Sequence, residues 1–244
     1  MVMTENPVKY FPASDLWQSY DAFVLEVAHR NDVRAVAELG GGANPVIADA
    51  DVWGFVPDRV VIDISAEELA KAEGDVDKRV EDLCQPIQEG LNSYDLVFSK
   101  MLCEHVSDAE VFHRNCFDLL RPGGRAIHFF PTLYATPFVI NRLLPEDLAR
   151  SLLSPLQPGR LSDPKHGKFP ALYRWCKGPT RKTLEHYRGV GFEVEEWRGG
   201  FGHSYYDRVS VLDGMEKAKS QFLLRHPVPL LTSFAVVVLR KPGG

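Results

Sequence analysis

Three carboxylates and a run of three glycines carry the first chemical signal in this sequence. The glycines close an apolar run, Ala35-Val-Ala-Glu38-Leu-Gly40-Gly41-Gly42, and Ala43-Asn44-Pro45 follows. Glycine tolerates positive φ and lets a backbone approach a ligand closely. Asn44 suits a helix N-cap and Pro45 the first helical position, so the pattern predicts strand, tight turn and helix. About 20 residues on, Val60-Val-Ile-Asp63 ends a second apolar run in an acid, with Ile64 beside it. A carboxylate at that place can accept both hydroxyls of a ribose. A third acid, Asp82 of Val80-Glu-Asp82-Leu83-Cys84, closes the next expected strand and is placed to accept from an adenine amino group.

Histidine is the side chain best suited to move a proton near neutral pH. His105 lies just past an expected strand end and is the first candidate for a general base; His128, inside the following strand, is the second. His166 and His203 fall in expected loops, whereas His113 and His186 lie on expected helices as solvated faces. Cys84, Cys103, Cys116 and Cys176 form no CxxC pair and have no histidine at zinc spacing, so no metal site is expected. That cysteine usage, and a start at Met1–Asp15 with neither basic nor apolar character, fit a reducing, cytoplasmic compartment.

Short β-branched runs alternate with amphipathic stretches along most of the chain. Strands are expected at Ala35–Leu39, Arg59–Ile64, Arg79–Asp82, Tyr94–Ser99, Arg125–Phe130, Phe192–Trp197 and Phe234–Arg240, and helices at Asp15–Ala28, Ala66–Ala72 and Ala109–Leu120. This is an α/β pattern: a Rossmann-like, seven-stranded, mostly parallel sheet with helices on both faces. Residues 131–180 break the rhythm with 8 of the 17 prolines, several aromatics, and seven basic against three acidic residues. Long connections in compact domains tend to be lids or binding loops, so this one reads as an inserted substrate cap. A single domain over 1–244 results, with a cofactor-binding core at 35–130, the cap at 131–180 and C-terminal strands of the same sheet at 181–244. The net charge of −5 speaks against a non-specific nucleic-acid binder, and the longest uncharged stretch, 126–141, is too short and too polar for a membrane span.

The array of acids and glycines resembles the class I S-adenosylmethionine-dependent methyltransferases of the small-molecule type. Glu38-Leu-Gly40-Gly41-Gly42 is similar to that family's acid-x-Gly-x-Gly loop, which lies under the methionine part of the cofactor. Asp63, with Ile64, is similar to the ribose acid, and Asp82-Leu83 to the adenine pair. Tyr94–Ser99 resembles the fourth strand, Leu102-Cys-Glu-His105-Val106 the segment that often follows it, and Leu119-Leu-Arg-Pro-Gly-Gly124 the turn before the fifth. The resemblance implies S-adenosylmethionine as cofactor, held by Glu38, Gly40, Gly41, Gly42, Asp63, Ile64, Asp82, Leu83 and Ser99. The cap stretches Phe130–Phe138 and Lys168–Trp175 look like those of bacterial methyltransferases tied to saccharide or cell-surface assembly.

A nicotinamide-dependent oxidoreductase shares the strand, glycine loop and ribose acid, but its loop reads G-x-G-x-x-G to receive a pyrophosphate. Counting from Gly40, the third glycine place holds Pro45. Methyl transfer is therefore expected ahead of hydride transfer, with a non-catalytic methyltransferase-like binding protein as the third reading. Ser99-Lys-Met-Leu102 is unlike the signature of base-amino methylation, and no magnesium triad stands out. The expected reaction is O-methylation of a small molecule or saccharide precursor, with His105 or His128 as base and the oligomeric state open.

Overall fold

The computed structural model describes residues 7–133, 170–205 and 209–243. In chain order the elements are β1 (Val8–Pro12), α1 (Ala13–Arg30), β2 (Ala35–Leu39), a 3-10 turn (Val46–Ala48), α2 (Ala50–Trp53), β3 (Asp58–Asp63), α3 (Ala66–Lys71), β4 (Asp77–Val80), β5 (Tyr94–Lys100), α4 (Ala109–Leu119), β6 (Leu120–Pro131), α5 (Arg181–Val190), β7 (Glu193–Phe201), α6 (Ser210–Arg225) and β8 (Phe234–Arg240). They build one sheet of order β1-β7-β8-β6-β5-β2-β3-β4, in which β8 alone runs antiparallel to its neighbours.

Alternation along the strands sorts side chains to two faces. Ala37, Leu39, Ile62 and Val97 join Phe112 and Cys116 of α4 and Tyr187 of α5 on one face. Val36, Val61, Leu96 and Phe98 join Leu16, Tyr20, Phe23 and Val27 of α1 on the other, together with Trp53 and Leu69 of α2 and α3. Helices thus cover both faces, as a largely parallel sheet requires. Local caps fix where they start: Ser65 Oγ accepts from the Glu68 amide, Asp108 Oδ1 from Glu110 and Val111, and Thr180 Oγ1 from Thr183. Among the described residues no helix is long and apolar enough to cross a membrane.

Three expectations need correction. The sheet has eight strands, not seven; the addition is β1, which pairs in parallel with β7 from Val8↔Trp197 to Pro12↔Phe201. Asn44 and Pro45 do not start a helix. Pro45 is extended (ψ 137°), the 3-10 turn follows, and Asp49 is the residue that caps α2. Strand β4 ends at Val80, so Asp82 lies in the loop two residues beyond it. Most of the expected cap, 134–169, with Tyr134, Phe138, His166 and Phe169, lies outside the described residues.

Candidate active site

From β2 the chain runs outward through β3 and β4, then returns to place β5 on the other side of β2. Loops leaving β2 and β5 therefore diverge, and open α/β sheets bind ligands at such a switch point. The glycine loop occupies one side of it. Gly40 has φ +72° and Gly42 φ +51°, conformations that side chains disfavour. A Cβ on Gly40 would meet Leu102 Cδ1 at 2.9 Å, so this glycine lets the two loops close on each other. A Cβ on Gly42 would meet Asp63 Oδ2 and Glu68 Cβ at 3.6 Å, ordinary van der Waals contact, so no clash keeps a side chain out there.

Backbone amides hold the acids around this loop. Asp63 Oδ2 accepts from the Gly42 amide at 3.1 Å and Oδ1 from Ser65 at 2.8 Å. Each oxygen retains a second lone pair for a ligand hydroxyl. Ile64 beside it is 54% exposed, an apolar surface at the loop after β3, whereas Leu83 is buried. Asp82 Oδ1 accepts from the Cys84 amide at 2.9 Å. Glu38 is buried and accepts from the Ile47 amide at 3.0 Å; burial pushes its carboxyl up to about 7 against that hydrogen bond. The helical segments after the glycines have three and four residues, so no long helix N-terminus is aimed at a pyrophosphate here.

The loop after β5 is built differently. Met101 sits at φ +58°, its amide held by the Phe129 carbonyl at 2.8 Å. Opposite it, Leu172 and Tyr173 donate their amides to the Glu104 carbonyl at 2.7 and 3.0 Å. Tyr173 and Trp175 also have positive φ, 52° and 56°. Non-glycine residues in this region concentrate at functional sites, because surrounding structure must offset the strain. His105 projects from this loop with its side chain one-third exposed; Nδ1 is 3.3 Å from the Pro170 carbonyl and Nε2 3.7 Å from Glu104 Oε1. A proton on Nδ1 that bonds Pro170 leaves Nε2 as the basic atom. Glu104 is 2% exposed, and burial raises its carboxyl to about 8, so it keeps its proton at neutral pH.

Ser99, at the end of β5, is buried and bonds His128 Nδ1 through its hydroxyl at 2.8 Å. Burial drives His128 down to about 3. Tyr20 Oη ties this region to α1 by donating to the Ser99 carbonyl at 2.7 Å and the Ile127 carbonyl at 3.1 Å. His113, expected on a solvated face, is instead 1% exposed, because that side of α4 packs on the sheet. Its ring stacks on Trp175, which also stacks on His186 and meets Tyr187 edge-on. The His203 side chain is also covered, with Nε2 3.4 Å from Glu216 Oε2 on α6.

The structure therefore brings Glu38, Gly40, Gly41, Gly42, Asp63 and Ile64 to one side of the switch point and Ser99 and His105 to the other, while His128 stands behind Ser99. Sequence reasoning passed over Glu104 and Met101; the only signal for Glu104 was its place before His105. A separate groove of about 640 Å³ opens farther along the same sheet edge, beside the ends of β1 and β7, with Trp17, Phe201, Tyr205 and Phe234 in its wall.

Residues 37–128 match a family model described as a methyltransferase domain. No curated protein matches the chain in sequence. Among solved structures, an S-adenosylmethionine-dependent methyltransferase from Mesorhizobium loti is similar at 18% identity and TM-score 0.53, over 93% of this chain and 97% of that one. Phosphoethanolamine N-methyltransferase 2 of Haemonchus contortus, in complex with S-adenosyl-L-methionine, is similar at 16% identity and TM-score 0.55, over 91% of this chain and 52% of that one. The 4+2 cyclase SpnF is similar at 17% identity and TM-score 0.55, over 93% of this chain and 82% of that one. At such identities the structural likeness speaks for the fold alone.

Proposed function

We propose that residues 37–128, which match a methyltransferase-domain family model, form a class I, S-adenosylmethionine-dependent domain, and that the chain uses it to methylate a hydroxyl group of a small molecule or a saccharide or cell-surface precursor. The observation that carries the cofactor assignment is the positive-φ glycine loop with Asp63 tethered to it by the Gly42 amide. The fit is physical: Gly42 presents positive-φ backbone beside Asp63, Asp63 has lone pairs to spare, and Ile64 offers an exposed apolar surface. Asp63 would accept the ribose hydroxyls, Asp82 and Leu83 would take the adenine, and Glu38 and residues 40–42 would line the methionine end. When bound, the cofactor supplies a methyl group already activated by its sulfonium centre.

The chain's own task is then to position the acceptor in line and remove its proton. His105 is the group we assign to that proton, at Nε2, because its imidazole is partly exposed at the switch point. Nδ1 stays protonated on the Pro170 carbonyl, which orients the ring. Glu104 Oε1 lies 3.7 Å from Nε2 of the same ring. His128 serves from behind, holding Ser99 and with it the end of β5. Four unpaired thiols, three of them buried, support the reading of a reducing compartment such as the cytoplasm.

The test has two stages. Calorimetry with S-adenosylmethionine, its demethylated product and NAD should show binding of the first two and none of the third. Methyl transfer from labelled cofactor should then be screened against saccharide, phenolic and lipid-linked acceptor pools, where label in a hydroxyl-bearing product is expected. Tight NAD binding, or label appearing only on amines, would overturn the corresponding half of the reading.

A further inference from the structure

We propose that His113, Cys116 and His128 form a site for a soft or borderline transition-metal ion of the zinc type, which clamps helix α4 onto strand β6. His113 and Cys116 are three residues apart on α4, so their side chains leave the same face. That face packs on the sheet where His128 lies in β6. One ring nitrogen of each histidine and the Cys116 thiol all lie within 4.8 Å of one another. All three residues are at most 1% exposed.

The nitrogens themselves point to a missing partner. His113 Nδ1 and His128 Nε2 are buried and make no hydrogen bond with any described residue. Native proteins rarely leave buried polar atoms in that condition, and an absent ion is one of the recognised reasons. The surroundings also resemble those of a metal ligand. Ser99 Oγ engages His128 Nδ1 at 2.8 Å, which orients the ring and leaves Nε2 for coordination. His113 is fixed by a stack on Trp175 and an edge contact with Tyr187. Two imidazoles and a thiol suit zinc, whereas magnesium and calcium take oxygen ligands. Zinc bonds of about 2.0–2.3 Å set tetrahedral ligand atoms roughly 3.3–3.7 Å apart, so an ion would draw these side chains inward by about 1 Å. On binding, the Cys116 thiol gives its proton to solvent and both imidazoles coordinate as neutral rings, which leaves one position of the tetrahedron for a water.

The experiment uses the full chain, stripped with a chelator, refolded with and without Co2+, and then challenged with Zn2+. One equivalent of Co2+ is expected, with visible d–d bands and a sulfur-to-cobalt charge-transfer band, both displaced by Zn2+. Zn2+ should also raise the melting temperature. Cys116→Ser should lose the charge-transfer band, while Cys84→Ser, at a half-buried position outside the cluster, should keep it. Circular dichroism on each variant and on the stripped chain separates lost binding from lost folding. Should Cys116→Ser not fold, His113→Phe, which keeps an aromatic ring against Trp175, should weaken Co2+ binding at least tenfold. Absence of the band in folded chain, a band indifferent to both variants, or cobalt bound with no sulfur band would each overturn the site.

Discussion

The two sides of the switch point hold their polar groups in different ways. On the β2–β3 side, Asp63, Asp82 and Glu38 each rest on a backbone amide from their own or the adjacent loop. On the β5–β6 side, Ser99 bonds a histidine 29 residues away, and Glu104 Oε2 and His128 Nε2 are buried without a hydrogen bond. Amides are fixed dipoles, so the first side is preorganised, although burial still raises the Glu38 carboxyl to about 7 against its amide bond. The second side is desolvated, which shifts proton affinities far from their usual values, to about 8 for Glu104 and about 3 for His128. On the proposed function these are a binding half and a proton-handling half, and they meet where Gly40 packs against Leu102.

The largest effect should come from the proton-handling half. His105→Ala is expected to lower turnover on the order of 10²–10⁴-fold while leaving cofactor affinity nearly unchanged. Steady-state kinetics on an acceptor found by the screen, paired with cofactor calorimetry, would check both parts. If affinity falls and turnover per bound cofactor does not, the division between the halves is wrong.

A second comparison sets Glu104 against Glu38 in stability. Both are carboxyls whose folded values lie above the ordinary 4.5, at about 8 and about 7. The native state then binds more protons than the unfolded chain between the two values, so stability falls as pH rises. For Glu104 the loss begins near 4.5 and is complete above 8; for Glu38 it is complete above 7. Their full sizes are on the order of 5 and 3 kcal/mol. Urea unfolding between pH 5 and 9 should show this decline, and Glu104→Gln should flatten it more than Glu38→Gln. Equal slopes in both variants would mean that the amide on Glu38 does not ease its burial.

On the binding half, Asp63→Ala should weaken S-adenosylmethionine by roughly 2–3 kcal/mol, about 30- to 150-fold, because an acceptor of several hydrogen bonds is removed. Asp63→Asn keeps one acceptor oxygen and should fall between. Calorimetry on folded variants reads the difference, and full affinity in Asp63→Ala would remove this carboxylate from the site.

The same division decides what could be read from the sequence. Glycines 40–42 and Asp63 act on neighbours close along the chain or across one strand pair, so composition and spacing revealed them. Strand β1 escaped notice because its pairing partner, β7, starts 185 residues after Val8 and nothing local in Val8-Lys-Tyr-Phe-Pro12 announces it. His113 was misplaced for a related reason. Helical spacing shows that Phe112, Cys116 and Leu119 share a face, but whether the histidine beside them is covered depends on Trp175 and Tyr187, more than 60 residues away. Asn44 and Pro45 carried a good local helix signal that tertiary structure overrode. The Glu38 carboxylate captures the Ile47 amide, and the chain tightens into a 3-10 turn at the place where a helix would begin.

The smallest expected effect tests whether the binding half owes its preorganisation to backbone alone. Gly42 and Gly40 both have positive φ, yet their surroundings differ: a Cβ at Gly42 would make ordinary contact at 3.6 Å, against a tight 2.9 Å to Leu102 at Gly40. Gly42→Ala should therefore cost only the conformational term, about 1 kcal/mol of stability, since the methyl group fits and the Asp63 bond to the amide survives. Gly40→Ala adds a contact that Leu102 must yield to, and should cost more in stability and also move the β5 loop. Melting curves of the two variants give the order. Cofactor titration gives the sharper reading: Gly42→Ala places its methyl where the ligand is expected, so affinity should fall although the protein barely notices. A Gly42→Ala variant with reduced stability and undiminished affinity would place the cofactor elsewhere along the sheet edge.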